Sequence, residues 1–186
     1  MPRRIALLLF GVLLTCTSVL HADWPRFRGP NGSGVSDEKQ ALPTEFSPTK
    51  NLKWKFEMPG PGSSCPIVVG DRVIVTCWSG YGDGGRDAGD QASLRRHVVC
   101  VDRASGDLLW KSTVEPYLPE DRYGGMFAEN GYASHTPTSD GERVYVFFGK
   151  TGVLAFDLND GKQLWQKSLG TESGARRPAS PSSPLL

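Results

Sequence analysis

The sequence predicts an all-β fold, a β-propeller built from four-stranded antiparallel blades. Three observations predict it: a turn-rich composition, an internal repeat, and short apolar runs separated by glycine-containing turns. The 186 residues include 22 Gly and 14 Pro. Such a composition suits a turn-rich all-β protein better than a helical one.

The repeat appears when the chain is laid on itself. Residues 100–111 superpose without a gap on residues 155–166, at an offset of 55. Residues 65–75 superpose on residues 136–146 at an offset of 71, so the first copy carries an insertion of 16 residues between positions 77 and 98. Each copy holds four short apolar runs joined by turns, which predicts a unit of four antiparallel strands.

The runs and turns set the expected strand positions. In the first copy we expect strands near 64–69, 72–78, 97–102 and 107–113, and in the second near 134–139, 143–148, 153–157 and 162–168. Two of these runs are apolar at nearly every position, which indicates strands that are covered on both faces. Stacked propeller blades give that burial without helices, whereas a sandwich would not repeat one motif at equivalent places.

Partial repeats flank the two copies. A lone run around Trp54 has no other strands before it and is interpreted as the closing strand of a last blade. The final residues match the start of both copies, so the expected ring is incomplete in this segment. The resulting division is a signal peptide (1–22), an extended segment (23–51) and repeats (52–186), the repeats comprising a closing strand (52–57), blade one (64–113), blade two (134–168) and the start of blade three (182–186).

The first 22 residues are typical of an export signal. Arg3 and Arg4 precede an apolar run over positions 5–14, and small and polar residues then lead to a cleavage site after Ala22. The run is too short to span a bilayer, which needs roughly 20 apolar residues. We therefore expect a periplasmic or extracellular protein with no transmembrane segment after cleavage, with lipid attachment at Cys16 as the alternative.

Three cysteines remain after cleavage, and an odd number leaves at least one free or paired outside this segment. Laying the first copy on the second places Val75 opposite Cys100, with Cys77 two positions further along on the same face. We expect Cys77 and Cys100 to be near neighbours packed as small apolar groups, and Cys65 to face the other side.

Charge excludes one class of partner. The chain has 21 Lys plus Arg against 20 Asp plus Glu, without a basic run or face. Nucleic acid is therefore not expected as a partner.

The repeat ends carry a spaced pattern, Ala-x-Asp-x-x-x-Gly-x-x-x-Trp. The second copy has it at Ala155, Asp157, Gly161 and Trp165, and the first has it at Cys100, Asp102, Gly106 and Trp110, with Cys in the Ala place. This pattern resembles the tryptophan-docking motif of PQQ-dependent dehydrogenases and of their non-enzymatic relatives of the BamB type. The stretches 24–32, 130–134 and 140–145 are similar to exported PQQ-binding-like β-propeller repeat proteins of bacteria.

The residue types of the motif suit blade packing and not catalysis. A small residue at 155 leaves room for an indole from a neighbouring blade, and Asp157 can hydrogen-bond the following turn. Gly161 can supply a backbone with positive φ. The tryptophan buries a large ring and keeps one N–H to pair.

The resemblance also implies what a cofactor site would need. In the PQQ enzymes of the family the cofactor lies on the propeller axis over a tryptophan and beneath a disulfide of adjacent cysteines, with Ca²⁺ held by carboxylate and amide groups and with a carboxylate base. No adjacent cysteine pair occurs here. We expect no cofactor and no catalytic residue in this segment, with PQQ and calcium as the alternative if missing blades carry the site.

Three further groups of residues suggest binding or chemistry. Asp83, Asp87 and Asp90 lie in the glycine-rich insertion, where oxygen ligands suit a hard cation, although the spacing matches no EF-hand loop and a solvated insertion is the other reading. His97 and His135 lack motif partners and are expected to be structural. The loop between the copies offers aromatic residues that either contact a partner or cover a blade edge: Tyr123, Met126, Phe127 and Tyr132.

These expectations converge on a function. We expect a rigid extracytoplasmic ring that acts as a non-catalytic binding or assembly scaffold for a protein or polymer partner, as the resemblance to the BamB-type relatives implies. The alternatives are a PQQ- and calcium-dependent quinoprotein dehydrogenase and, third, a hydrolase-like site assembled from blades outside this segment.

Overall fold

The computed structural model of the protein describes residues 23–36, 41–84, 87–170 and 183–186. The predicted signal peptide and its Cys16 lie outside the described residues. Two four-stranded sheets form, each in sequential strand order. Blade one contains Ile67–Val69 (β1), Arg72–Ser79 (β2), Arg95–Asp102 (β3) and Leu108–Val114 (β4), and blade two contains Thr138–Ser139 (β5), Arg143–Phe147 (β6), Val153–Asp157 (β7) and Gln163–Lys167 (β8). All neighbouring strands are antiparallel, and the predicted fold class is confirmed.

Helical structure is confined to short connections. A five-residue helix, Met126–Asn130 (α1), lies between the blades, and 3-10 turns cover Gln91–Ser93 and Gly149–Thr151. In the described part of the chain, no helix is long and apolar enough to cross a membrane.

The first strand of each blade is shorter than predicted. We expected strands from 64 and 134, whereas β1 begins at Ile67 and β5 at Thr138. Pro66 and Pro137 immediately precede these residues, and proline has no N–H to donate to a ladder. The ladders therefore begin one residue after each proline.

The central strands of blade one are covered on both faces. One face packs towards blade two in a cluster that includes Ile74, Val98 and Cys100 from blade one and Val144, Leu154 and Phe156 from blade two. The other face, with Cys77, Val99 and Val101, lies against the segment that carries Trp54, Phe56 and Met58. Burial of both faces explains why these strands are apolar at consecutive positions.

The expected neighbourhood of Cys77 and Cys100 is wrong. Cys100 lies opposite Ile74 and not Val75, and Cys77 lies opposite His97. A shift of one residue in register moves a side chain to the other face of the sheet, so the two thiols belong to the two opposite core clusters. Both are buried, Cys65 is exposed, and all three are unpaired.

An indole of blade one packs on a turn of blade two. The ring of Trp110 covers Gly161 so closely that a Cβ built there would lie 2.4 Å from the ring, and φ of this glycine is +72°. The Trp110 Nε1–H donates to the carbonyl oxygen of Leu158 at 3.0 Å. Asp157 closes the turn, since its carboxylate accepts from Asn159 N at 2.8 Å. The docking glycine has the positive φ that favours glycine, together with a contact that excludes any side chain.

The same contact recurs one blade earlier. Trp54 packs on Gly106, at +79° in φ, with 2.6 Å between a built Cβ and the ring. Trp54 Nε1 donates to Arg103 O at 2.9 Å, the position equivalent to Leu158. Residues 52–57 form no ladder with the other described residues, and their role as a closing strand stays a prediction. Trp165, the third indole of the series, is 44% exposed.

Replacement of Gly161 by alanine should test this packing. We expect Gly161→Ala to lower the free energy of unfolding by about 2–4 kcal/mol, because it combines an unfavourable positive φ with a clash against a buried ring. The matched control is Gly141→Ala, where φ is +92° but nothing lies within 4 Å of the built Cβ. That control should cost about 1 kcal/mol. Urea unfolding followed by tryptophan fluorescence measures both, and equal losses would contradict the docking contact.

The thiols give a second test of the packing. Burial raises the pKa of Cys77 to about 11 and the pKa of Cys100 to about 12. Both groups are therefore protonated and inaccessible at pH 8, whereas Cys65 is exposed. Of these three cysteines, we expect maleimide to label only Cys65 in the native protein and to reach Cys77 and Cys100 only in denaturant. Rapid native labelling of Cys77 or Cys100, detected by peptide mass spectrometry, would contradict the burial.

Candidate functional site

Two connections meet at one end of the blades. In an antiparallel sheet of sequential order, the β2–β3 connection and the connection from β4 to the next blade leave from the same end. The first is the insertion at 80–94 and the second is the inter-blade loop at 115–137. We call this end the loop face. Exposed loops on a rigid scaffold are where binding residues concentrate.

An aromatic cluster centred on Tyr132 holds the two connections together. The Tyr132 ring centroid lies 5.2 Å from that of Phe127 in a stacked pair, 5.6 Å from that of Tyr81 and 6.4 Å from that of Tyr123. The Trp78 ring lies edge-on to the Tyr132 ring, with 6.3 Å between the two ring centroids. Offset and edge-on aromatic pairs add stability beyond area burial. The insertion and the inter-blade loop are therefore one packed unit.

The aromatic cluster buries Tyr132 and partly buries Tyr123 and Phe127. Tyr132 is 5% exposed and packs in the core, which favours the second of the two readings given for the loop aromatics, that they cover a blade edge. Its hydroxyl donates to the carbonyl oxygen of Asp121 at 2.7 Å, and burial raises the pKa of the phenol. Tyr123 and Phe127 are half-buried against the same core. The Met126 backbone lies in α1, while its side chain lies outside what the structure describes.

A buried ion pair lies beneath the cluster. Arg96 Nη1 lies 2.7 Å from Glu120 Oε1, and both side chains are at most 3% exposed. Arg96 also donates to Tyr132 O at 3.1 Å and to Thr151 Oγ1 at 3.2 Å. Its guanidinium lies 5.7 Å from the centre of the Tyr132 ring, within cation–π range. One side chain of β3 thus contacts the inter-blade loop and blade two at once.

A second, more exposed pair extends this connection. Lys150 Nζ lies 3.0 Å from Asp121 Oδ1, with side-chain exposures of 14% and 24%. The same ammonium donates to Pro119 O at 3.0 Å. Gln91, in the insertion, donates to Glu120 O at 2.9 Å. Polar contacts from β3, the insertion and blade two therefore converge on residues 119–121.

The three aspartates of the insertion each accept a hydrogen bond from a different backbone amide. Asp83 accepts from Gly80 N at 2.7 Å, Asp87 from Gly89 N at 3.2 Å, and Asp90 from Ala92 N at 2.9 Å. Each carboxylate therefore caps a turn of the insertion. Within the described ranges, no group of three His, Cys, Asp or Glu side chains is arranged to hold a metal ion.

His97 is held between two hydroxyl groups. Its Nε2 lies 2.8 Å from Ser79 Oγ and its Nδ1 lies 3.1 Å from Thr113 Oγ1. Burial is the main cause that lowers its pKa, with Lys111 and Arg95 adding to it. A neutral imidazole has one donor and one acceptor, which these two hydroxyls satisfy. His135 is buried, and its ring lies 4.8 Å from that of Phe147 in an edge-on contact.

The docking residues lie away from the loop face. Asp102, Gly106, Asp157 and Gly161 form the β3–β4 and β7–β8 turns, at the opposite end of each blade. Cys100 and Ala155 are fully buried and lie opposite the tryptophans of their own blades, Trp110 and Trp165. The indole that enters from the neighbouring blade, Trp110, packs on Gly161.

The described residues do not fit a PQQ and calcium site of the kind that the resemblance implies. The cysteines at 65, 77 and 100 are neither adjacent nor paired. Among the loop-face carboxylates, the three aspartates of the insertion bond its backbone amides, and Glu120 and Asp121 pair with Arg96 and Lys150.

Sequence reasoning missed the ion pair, although a signal for it exists. Arg96 directly precedes a run of five residues, 97–101, that is buried throughout. A charged side chain inside a buried strand needs an opposite charge, because an isolated buried charge is very costly. The sequence indicates that a partner is needed. Glu120, 24 residues away, is identified only by the fold.

Removal of Glu120 should be far more costly than removal of a neighbouring exposed acid. Glu120→Ala leaves Arg96 buried without its counter-charge, and we expect a loss of about 3–5 kcal/mol in unfolding free energy. The control is Glu115→Ala, which removes a 3.1 Å pair with Arg95 at 72% exposure of the acid and should cost about 0–1 kcal/mol. Chemical denaturation measures both variants, and similar losses would show that the buried pair contributes no more than the surface pair.

Comparisons with known proteins agree with the repeat architecture. The chain is 23% identical over 145 residues to a polyvinylalcohol dehydrogenase of Sphingopyxis sp. (strain 113P3), covering 77% of this chain and 18% of that protein. It is 22% identical over 156 residues to a polyvinylalcohol dehydrogenase of Pseudomonas sp., covering 81% of this chain and 20% of that protein. The chain thus spans about one fifth of the length of these curated relatives. The model of the PQQ-repeat family described as "Outer membrane protein assembly factor BamB" matches residues 88–186, more than half of the chain, and the chain belongs to this family.

Proposed function

We propose that the protein is an exported β-propeller that acts as a non-catalytic binding or assembly scaffold, with the loop face as its binding surface. The observation that carries the proposal is the use of the ionisable groups at this face. Arg96 pairs with Glu120, and Lys150 pairs with Asp121. The aspartates of the insertion cap its turns. These groups fix loops in place, which is what a binding surface needs.

The loop face is organised to present a fixed surface. The aromatic cluster and the Arg96–Glu120 pair order the insertion and the inter-blade loop before any partner arrives. Pre-ordered loops lose less conformational entropy on binding and therefore bind more tightly for the same contacts. A protein or polymer partner suits an extended, rigid surface such as the loop face.

Two apolar side chains on this frame are free to make contacts. Tyr117 is 44% exposed and Leu118 is 50% exposed. The backbone N–H of Tyr117 donates to Glu120 Oε1 at 3.1 Å, so the buried ion pair also positions this exposed segment. Exposed aromatic and aliphatic residues on a supported loop are typical of the centre of a binding patch. We assign Tyr117 and Leu118 to the contact surface.

A second candidate function is a PQQ- and calcium-dependent dehydrogenase. The two polyvinylalcohol dehydrogenases among the relatives favour it. Its cofactor site would draw on residues outside the described segments, because Glu120 and Asp121 already form ion pairs and Asp90 bonds its own turn.

Cofactor titration separates the two functions. The full-length protein is mixed with PQQ and Ca²⁺, and we measure the cofactor absorbance, the melting temperature and dye-linked oxidation of polyvinyl alcohol. The scaffold function predicts no saturable change in any of the three. A saturable shift together with dye reduction would overturn it in favour of the dehydrogenase.

The binding surface has its own test. A photo-crosslinking phenylalanine derivative at position 117 should give a discrete adduct in the producing cells. The same derivative at Lys162, an exposed residue of the β7–β8 turn at the opposite end, should not. Adducts from both positions, or from the control position alone, would contradict the assignment of the loop face.

A further inference from the structure

We propose that residues 23–34 form a plug on the propeller axis, which closes the end of the central channel opposite the loop face. The proposal concerns the fold and holds whichever partner the loop face takes.

The first strands of successive blades converge. Cys65 N donates to Thr136 Oγ1 at 3.0 Å, and Thr136 N donates to Ser183 Oγ at 3.0 Å. These three residues occupy equivalent positions in the repeat, just before the first strand of each copy. Equivalent positions of successive blades are separated by a distance that grows with their distance from the propeller axis, so equivalent positions in direct hydrogen-bond contact lie near the axis. The edges along β1 and β5 therefore line the central channel of the propeller.

An inner edge strand has backbone groups that its own sheet leaves unpaired. In β1 those groups belong to Val68, and Trp24 pairs with both. Trp24 N donates to Val68 O at 2.8 Å, and Val68 N donates to Trp24 O at 3.0 Å. The carboxylate of Asp23 accepts from Gly70 N at 2.8 Å in the turn that follows β1. The segment is thus hydrogen-bonded to the channel edge of blade one.

The segment then crosses to the next blades. Ser139 N, in β5, donates to Pro25 O at 2.9 Å. Arg26 Nη1 donates to Leu186 O at 3.2 Å, within the residues that align with the first strand of the other copies. Three successive residues, Trp24, Pro25 and Arg26, therefore contact three successive inner edges. A segment that merely lay along the outside of one blade could not make this series of contacts.

The residues after the crossing fold into a compact knob. Gly29 N donates to Arg26 O at 3.0 Å, and Gly34 N donates to Arg28 O at 2.9 Å. The Trp24 ring packs on Gly29, where a built Cβ would lie 2.7 Å from the ring and φ is +76°. Arg26 also donates to the carbonyl oxygens of Gly29 and Pro30. A folded knob of this kind fills space beside the inner edges instead of passing as an extended strand.

The contacts also fix which end is closed. Val68, Gly70 and Ser139 lie at the end where β1 turns into β2 and β5 into β6, whereas the loop face is the end where β2 turns into β3. The knob therefore closes the channel from one side, and a ligand reaches the axis from the loop face.

Amide hydrogen exchange on the full-length protein tests the plug. Val68 and Ser139 donate to the segment, so their amides should exchange slowly in the natural protein. Trp24→Ala removes the ring that anchors the knob, and we expect both amides to exchange faster by on the order of tenfold. Amides in the middle of the β2–β3 ladder should keep their rates.

Glycine variants provide the matched comparison. Gly29→Ala adds a methyl group against the Trp24 ring at a φ of +76°, whereas Gly32→Ala has a φ of +71° with nothing within 4 Å of the built Cβ. Gly29→Ala should reproduce the faster exchange, and Gly32→Ala should not. Unchanged exchange at Val68 and Ser139 in both Trp24→Ala and Gly29→Ala would overturn the plug. Equal acceleration across the β2–β3 ladder would also overturn it, because the segment would then stabilise the blade in general instead of shielding its inner edge.

Discussion

The packing of an indole on a glycine of the following blade is the contact on which the rest of the structure depends. Trp110 on Gly161 and Trp54 on Gly106 have the same form, with the indole N–H bound to the carbonyl one residue after the turn aspartate. The first contact joins β4 of blade one to a turn of blade two, and the second joins the segment around Trp54 to a turn of blade one. Because the indole lies too close to the glycine to leave room for a side chain there, the contact fixes both the distance and the rotation between neighbouring units.

The structure of the loop face depends on this fixed position of one blade relative to the next. Arg96 extends from β3 to the inter-blade loop and to Thr151 of blade two, and this is feasible only if the blades keep one relative position. A buried ion pair requires close geometry, since the cost of removing both charges from water is large. The indole contacts at one end of the blades and the ion pair at the other therefore act together to hold the two units rigidly.

The two ends of the blades therefore differ in structure. The loop face has an ordered surface with Tyr117 and Leu118 exposed, and the other end has short turns and the N-terminal knob. A propeller closed at one end presents its partner or ligand with a single entrance. This asymmetry is compatible with a scaffold and equally with an enzyme of the kind named among the relatives, because either function uses one face.

The sequence by itself determined the blades, because the repeat offsets, the eight strands and the docking pattern are local features that hydrophobic pattern and turn chemistry express. Only the tertiary structure decided that Cys77 and Cys100 lie on opposite faces, because a shift of one residue in register reverses a side chain and no local signal reports it. Tertiary packing also decided that Tyr132 is buried, that Glu120 is the partner of Arg96, and that residues 23–34 reach the inner edges. Each of these contacts joins residues far apart in the chain, and their meeting depends on how the blades are rotated against one another.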